Sequence, residues 1–161
     1  MNRFEKVTVL LNGWLRWVAG AGLVAMMLLA GANMIARVPG YPIQGTYELT
    51  GFLASITAAF ALGYTQIEKG HIKVDIVTSR LSPRAQLIIE AIMYFVSVIL
   101  FALVTWQVAR FAGNYWREGN LSETLKIIYF PFTYGVALGS AFITLVLILD
   151  LAKTLTQAVK K

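Results

Sequence analysis

The chain has 161 residues, of which 14% are charged and 58% are hydrophobic, and its formal net charge is +6. An ordinary soluble domain carries about 25% charged residues, so this composition argues against one. The chain has no cysteine, which excludes disulfide bonds and thiolate metal ligands. Its basic residues lie in short segments between apolar runs, a pattern that indicates membrane topology rather than nucleic-acid binding.

Four runs of the sequence contain no Asp, Glu, Lys, Arg or His: Trp17 to Ala36, Leu49 to Ile67, Ala91 to Ala109, and Ile127 to Leu149. A helix needs about 20 apolar residues to cross a hydrocarbon core of roughly 30 Å, and in lipid it must satisfy its own backbone groups. The sequence therefore predicts an all-α membrane protein with four transmembrane helices. We assign residues 1–161 to one domain with spans at about 14–36, 47–67, 86–109 and 127–150.

The first span follows a short N-terminal segment, residues 4–18, whose apolar residues recur at helical spacing. This pattern predicts a helix that begins in the membrane interface and continues into the span. A secretory signal peptide is an alternative, because Arg3 and Lys6 precede the apolar run and Ala30-Gly31-Ala32 resembles a cleavage site. We favour a retained helix, since the run continues to Ala36 and is long for a signal sequence.

The second span is followed by the stretch IEKGHIKVD, Ile67 to Asp75, which holds His71, the only histidine of the chain. A metal or haem site would need further donors, and the chain offers neither a second histidine nor a cysteine. On its chemistry alone the stretch is a helix end, with Gly70 as the cap and the charges at the interface. We assign no catalytic, cofactor-binding or metal-binding residue, and we expect a second interfacial helical segment at Val74 to Leu81.

Ionisable residues border the four runs and do not enter them, so the chain offers no proton or ion pathway of its own. Glu48 begins the second span, while Arg37 and Arg110 end the first and third spans. We expect Glu48 to pair with Arg37 or Arg110 in a charge cluster on the outer side. A partner subunit is an alternative source of the counter-charge.

Small residues recur along two of the predicted helices. On the second they fall every four residues, and on the fourth they form a GxxxG pair. Small residues in register allow two helix backbones to approach closely in lipid. We predict that these positions serve helix packing, either within the chain or with a partner: Gly51, Ser55, Ala59 and Gly63, and Gly135 and Gly139.

The distribution of lysine and arginine predicts the orientation. Ten of these residues lie in the N-terminal flank, the loop between spans two and three, and the C-terminal tail, and four lie in the two remaining loops. Because positive charge accumulates on the cytoplasmic side, both termini are expected to be cytoplasmic.

Several motifs along the chain resemble those of one family. They are Glu48-Leu49, the run Gly70-His71-Ile72-Lys73-Val74-Asp75, Leu81-Ser82-Pro83, Tyr115-Trp116-Arg117-Glu118-Gly119, and Tyr129-Phe130-Pro131. Together they resemble the small membrane subunit, or DctQ-like subunit, of tripartite ATP-independent periplasmic (TRAP) transporters. The likeness covers nearly the whole chain. It departs mildly at Tyr47-Glu48, where the family often has paired acids.

The resemblance implies a non-catalytic subunit that stabilises the scaffold of a large membrane subunit in the bacterial inner membrane. The large subunit would carry sodium and an organic acid, which a periplasmic substrate-binding protein delivers. The resemblance also implies a shared structural role for Glu48, Gly70, His71 and Asp75. No cofactor and no nucleic acid are expected, and the other contacts would be with membrane lipids.

Two other functions are alternatives to this one. A membrane-anchor subunit of a redox complex also uses four helices, but it would need more ligands than one histidine. A self-associating channel would need a polar face on at least one span, and the spans carry only scattered polar residues.

Overall fold

The computed structural model describes residues 3–68 and 82–160. These residues form four α-helices: α1 Arg3–Arg37, α2 Thr46–Ile67, α3 Pro83–Glu118 and α4 Phe130–Lys160. The predicted all-α class is confirmed for this part of the chain. The segment Val74 to Leu81, predicted to be an interfacial helix, lies outside the described residues.

Local sequence signals explain some of the helix ends. Ser82 caps α3, because its side chain accepts a hydrogen bond from the backbone N–H of Ala85 at 3.4 Å, and Pro83 occupies the first helical position. At the end of α1, Asn33 Oδ1 accepts a hydrogen bond from the N–H of Ile43 at 2.9 Å, which ties residues 38–45 back to the helix. The α4 helix begins at Phe130 and not at 127, because the preceding residues fold into a turn closed by a bridge between Leu121 and Ile128.

Three of the helices are long and apolar enough to cross a membrane: Gly13–Arg37 in α1, Ala85–Glu118 in α3 and Phe130–Thr156 in α4. The α2 helix is not one of these candidates. Its assignment as the fourth span stays a prediction.

The helices pack in the order α1, α2, α4, α3, because α1 contacts α2, α2 contacts α4, and α4 contacts α3. Side-chain contacts give the directions: Gly135 lies beside Ile56 and Asp150 beside Gln66, so α2 and α4 run parallel. The connections 38–45 and 119–129 therefore share one end of the molecule, here called the connection end. The opposite end is called the terminus end.

The core lies along α2 and α4, where most of the buried hydrophobic side chains are found. Near the connection end, the rings of Phe52 and Phe132 stack with their centroids 4.2 Å apart. Further along α4, Ile143 is almost fully buried. The most apolar stretches of α1 and α3 are instead unburied, so their large side chains can face lipid.

Candidate functional site

The α2 and α4 helices come into very close contact at Ala59 and Gly139. A Cβ atom added to Gly139 would lie 2.7 Å from the Cβ of Ala59 and 2.9 Å from its carbonyl carbon. Real Cβ atoms essentially never come within 3.0 Å of such neighbours. Glycine at 139 therefore sets the distance between the two helices.

The other small residues of this pattern have different surroundings. A Cβ on Gly135 would lie 3.4 Å from Cγ1 of Ile56, and one on Gly63 would lie 3.4 Å from Cδ1 of Leu15 on α1. Ser55 donates its hydroxyl to the carbonyl of Phe52 within its own helix. Around Gly51 there is open space, and a Cβ at that position would have no neighbour within 4 Å in the described part of the chain. Toward the terminus end of α2, Ala59 and Gly63 therefore pack against other helices of the chain. Toward the connection end, Gly51 has no such neighbour in the described part of the chain.

Sequence reasoning missed a second close contact, between α1 and α2. Gly22 of α1 faces the hydroxyl of Thr57, whose oxygen occupies the position that a Cβ of residue 22 would need. That hydroxyl is buried and has no hydrogen-bond partner in the described part of the chain. The only sequence signal was a glycine within the first apolar run, which is common in membrane helices.

Glu48 anchors the connection between α3 and α4 to the start of α2. Its two carboxylate oxygens accept hydrogen bonds from consecutive backbone N–H groups, Thr124 at 2.7 Å and Leu125 at 3.0 Å. The Leu125 side chain lies against Gly45, which has a φ of +72° and no room for a Cβ. We call this arrangement of Gly45, Glu48, Thr124 and Leu125 the Glu48 clasp.

The connection held by the clasp has its own internal order. Ser122 is fully buried, and its hydroxyl accepts a hydrogen bond from the N–H of Ile127 at 3.1 Å. The Ser122 N–H donates to the carbonyl of Ile127 at 2.8 Å. This pairing turns the chain back, so that the amides of Thr124 and Leu125 are presented to Glu48.

The arginines expected near Glu48 do not provide its hydrogen bonds, which come from backbone amides. The guanidinium carbon of Arg110 lies 5.7 Å from the centre of the Trp106 ring on its own helix, a geometry typical of a cation–π contact. Arg37 is an exposed residue in the last turn of α1. Sequence reasoning could not find the amide donors, because they depend on the fold of residues 120–128.

A polar contact joins α2 and α4 near the terminus end. Nε2 of Gln66 donates to Oδ2 of Asp150 at 3.1 Å, and the Gln66 side chain is only 6% exposed. The signal for this contact in the sequence is weak, since these polar residues lie at or next to the ends of the second and fourth charge-free runs. A hydrogen bond in this position fixes how far one parallel helix slides along the other.

The motif residues Gly70, His71 and Asp75 lie outside the described residues. Among the residues that the structure describes, no three His, Cys, Asp or Glu side chains gather in a way that could hold a metal ion. The described site is therefore one of helix packing and loop anchoring. No reacting group is identified in it.

Comparison with known families decides the identity of the chain. Residues 26–157 match the family described as tripartite ATP-independent periplasmic transporters, DctQ component. The chain belongs to this family. No curated protein matches the sequence.

Membership of the DctQ family has direct consequences for the site. The matched range includes both Glu48 and the Ala59–Gly139 crossing. The protein is a small membrane subunit of a TRAP transporter. Members of this family are components of a transport system and are generally non-enzymatic. A large membrane subunit and a binding protein are the general partners of this family.

Proposed function

We propose that this chain is the non-catalytic small subunit that stabilises the scaffold of the large TRAP membrane subunit during sodium-coupled uptake of an organic acid. A periplasmic binding protein delivers the acid, and the complex lies in the bacterial inner membrane. The observation that carries the proposal is the match of residues 26–157 to the DctQ component. The charge-free runs support it, because a carboxylate and its coupling ion have no charged partner inside them.

The proposal includes four membrane spans with both termini in the cytoplasm. Support for α2 as a span comes from its neighbours, since it packs between α1 and α4, which are both candidate spans. Its contacts extend from Gly22–Thr57 on one side to Gln66–Asp150 on the other. Its position between two candidate spans supports the proposal that α2 crosses the membrane beside them.

A scaffold role agrees with how the helices are joined. The Ala59–Gly139 crossing brings two backbones into contact, and the Glu48 clasp fixes a loop to a helix by charge-assisted hydrogen bonds. Both contacts suit a small subunit that keeps its shape while the large subunit moves. Neither offers a place where cargo could bind and be released.

Reconstitution into sodium-gradient liposomes tests the proposal. Vesicles would contain this chain alone, the large subunit alone, or both, each with the binding protein loaded with its organic acid. We expect uptake only when the large subunit is present, and faster or longer-lived uptake when both are present. Uptake by this chain alone would refute the proposed role, as would a large subunit that is equally active and stable without it.

A further inference from the structure

The charge-free runs of α1 and α3 lie at different heights along the helix axes. Arg16 and Arg37 border the run of α1, while Glu90 and Arg110 border that of α3. Each run is about 20 residues long, which is enough to cross one hydrocarbon core of roughly 30 Å. Both helices run from the terminus end to the connection end. Arg37 and Arg110 are therefore the corresponding borders, nearer the connection end.

Contacts between neighbouring helices fix the relative heights of α1, α2 and α4. Gly22 of α1 faces the side chain of Thr57 on α2. The preceding residue of α2, Ile56, packs beside Gly135 of α4, where an added Cβ would lie 3.4 Å from its Cγ1. Gly22 and Gly135 are therefore at nearly the same height.

Two further contacts give the heights along α3, which runs antiparallel to α4. The hydroxyl oxygens of Thr105 and Thr144 are 3.4 Å apart. Closer to the connection end, the ring centroids of Trp116 and Phe130 are 4.7 Å apart. Residues of α3 between these two contacts can thus be matched to residues of α4 by counting.

The two charge-free runs are staggered. Arg110 lies between the two contacts on α3, and counting from either one places it within about one turn of the height of Gly135. It is therefore at nearly the height of Gly22 on α1. Arg37 lies about 15 residues beyond Gly22, or roughly 20 Å at 1.5 Å per residue. A flat slab of hydrocarbon perpendicular to the helices would cover one run and leave much of the other outside.

The border of the α2 run lies between these two heights. Glu48 is nine residues beyond Thr57 toward the connection end, which is roughly 13 Å. Since Thr57 is level with Gly22, this border is lower than Arg37 and higher than Arg110. The border therefore descends from α1 through α2 to α3, in the order in which the helices pack.

Exposed side chains at one height differ in polarity between α1 and α3. Asn114 and Arg117 are exposed on α3, beyond Arg110. The same height on α1 exposes Met27 and Leu28, which are 68% and 69% exposed. Polar and apolar surfaces of this kind suit different depths in a bilayer.

Two exposed tryptophans show the same displacement. Trp17 follows Arg16 at the terminus-end border of the α1 run, and Trp106 lies one turn before Arg110 at the connection-end border of the α3 run. Tryptophan favours the headgroup layer, so these rings mark opposite surfaces of the membrane. Trp17 is five residues before Gly22, and Trp106 is four before Arg110. The two rings are nevertheless at nearly the same height along the bundle.

We propose that the chain meets the lipid bilayer obliquely, with its helices inclined by roughly 40° to the membrane normal. Helix α1 and helix α3 are separated by three interfaces of about 8–10 Å each, and a stagger of roughly 20 Å over that distance gives this angle. It is at the upper end of the tilts seen for membrane helices. Lipid headgroups on one side of the membrane then meet Arg37 at one edge and Arg110 at the other. The last turns of α3, residues 111–118, extend beyond the hydrocarbon.

Spin labels at single cysteines test the inclination, because the natural chain has no cysteine. Asn114→Cys and Met27→Cys place labels at one height on opposite edges, both at exposed positions. With the full chain in dioleoylphosphatidylcholine vesicles, power saturation compares collisions with oxygen, which enters lipid, and with a water-soluble nickel chelate. We expect position 27 to lie near the centre of the hydrocarbon and position 114 in the aqueous layer, a difference in depth of roughly 15 Å.

A second matched pair tests the opposite surface. Trp14→Cys and Leu103→Cys are also exposed and at one height. We expect the nickel chelate to reach position 14 and oxygen to dominate at position 103. Equal depths within either pair would overturn the inference, since an upright bundle gives equal depths in both.

Polarised infrared spectra of aligned bilayers measure the mean helix tilt independently. We expect a value of roughly 40°, whereas membrane helices average about 20°. A mean tilt of about 20° or less would overturn the inference even if the labels differ in depth, because the bilayer would then be deformed around an upright protein. Neither measurement involves transport, so the proposed function stands or falls separately in the uptake experiment.

Discussion

Glu48 shows how a single carboxylate can organise a loop. An ionised carboxylate only accepts hydrogen bonds, and both oxygens of Glu48 are used on two adjacent backbone amides. Charge-assisted bonds of this kind are roughly twice as strong as neutral ones. Glutamine has the same length, but it replaces one acceptor by an NH₂ group that cannot bind a second amide N–H.

Removing this carboxylate should expose the loop to protease. In Glu48→Ala we expect trypsin to cut after Lys126, an exposed loop residue, roughly tenfold faster in detergent solution, because local opening governs such cleavage. Glu48→Gln should fall between that variant and the unaltered chain. Glu123→Ala is the control, since Glu123 is exposed on the same loop. Equal cleavage of all four proteins would show that Glu48 does not hold the loop.

Gly139 should tolerate a larger side chain poorly, because an added Cβ would lie 2.7 Å from the Cβ of Ala59. Gly139→Leu must push α4 away from Ala59, and overpacking of this kind typically costs about 1–3 kcal/mol. The thermal unfolding midpoint in detergent should therefore fall. In Gly31→Leu, whose site on α1 has nothing within 4 Å, the midpoint should change little. A Gly139→Leu protein as stable as Gly31→Leu would contradict the close crossing.

At the scale of elements, the pairing of α2 with α4 is the contact that joins the α1–α2 pair to the α3–α4 pair. These helices are parallel, and three kinds of contact join them: the glycine crossing, the Phe52–Phe132 stack and the Gln66–Asp150 hydrogen bond. The first two limit distance and rotation. The hydrogen bond adds a directional contact that resists sliding along the helix axis.

A double-mutant cycle measures what that hydrogen bond contributes. Gln66→Leu leaves the Asp150 carboxylate without this hydrogen bond, and Asp150→Leu leaves the Gln66 amide without it. Each single substitution should therefore destabilise the protein. The double variant should be more stable than additivity predicts, with a coupling energy of about 1 kcal/mol, as found for polar contacts between membrane helices. Unfolding in denaturant provides the free energies. Strictly additive effects would mean that the two side chains do not interact.

At the scale of the whole molecule, the orientation can be tested with single cysteines, because the natural chain has none. Tyr41→Cys and Thr156→Cys are placed at exposed positions near opposite ends. If both termini are cytoplasmic, an impermeant maleimide should label position 41 in right-side-out vesicles and position 156 in inverted ones. The reverse result, or labelling of both positions in one vesicle type, would contradict the predicted topology.

The sequence predicted the helices well because the signal for them is local. Charge-free runs report where a chain can enter lipid, and each predicted span overlaps one of the four helices. The order α1, α2, α4, α3 was not predictable, since it depends on which faces fit together. Likewise, the small residues indicated close packing but not the partner: Gly139 meets α2, whereas Gly51 meets nothing in the described part of the chain.

The order of packing also has a consequence for biosynthesis. The α2 helix leaves the ribosome well before its neighbour α4, and the residues joined across this interface are 84 positions apart at Gln66 and Asp150. Until α4 has been synthesised, the amide of Gln66 lacks the partner that it has in the folded chain. The α1–α2 pair is therefore complete in the chain before the α3–α4 pair, and the protein becomes one unit only when α4 meets α2.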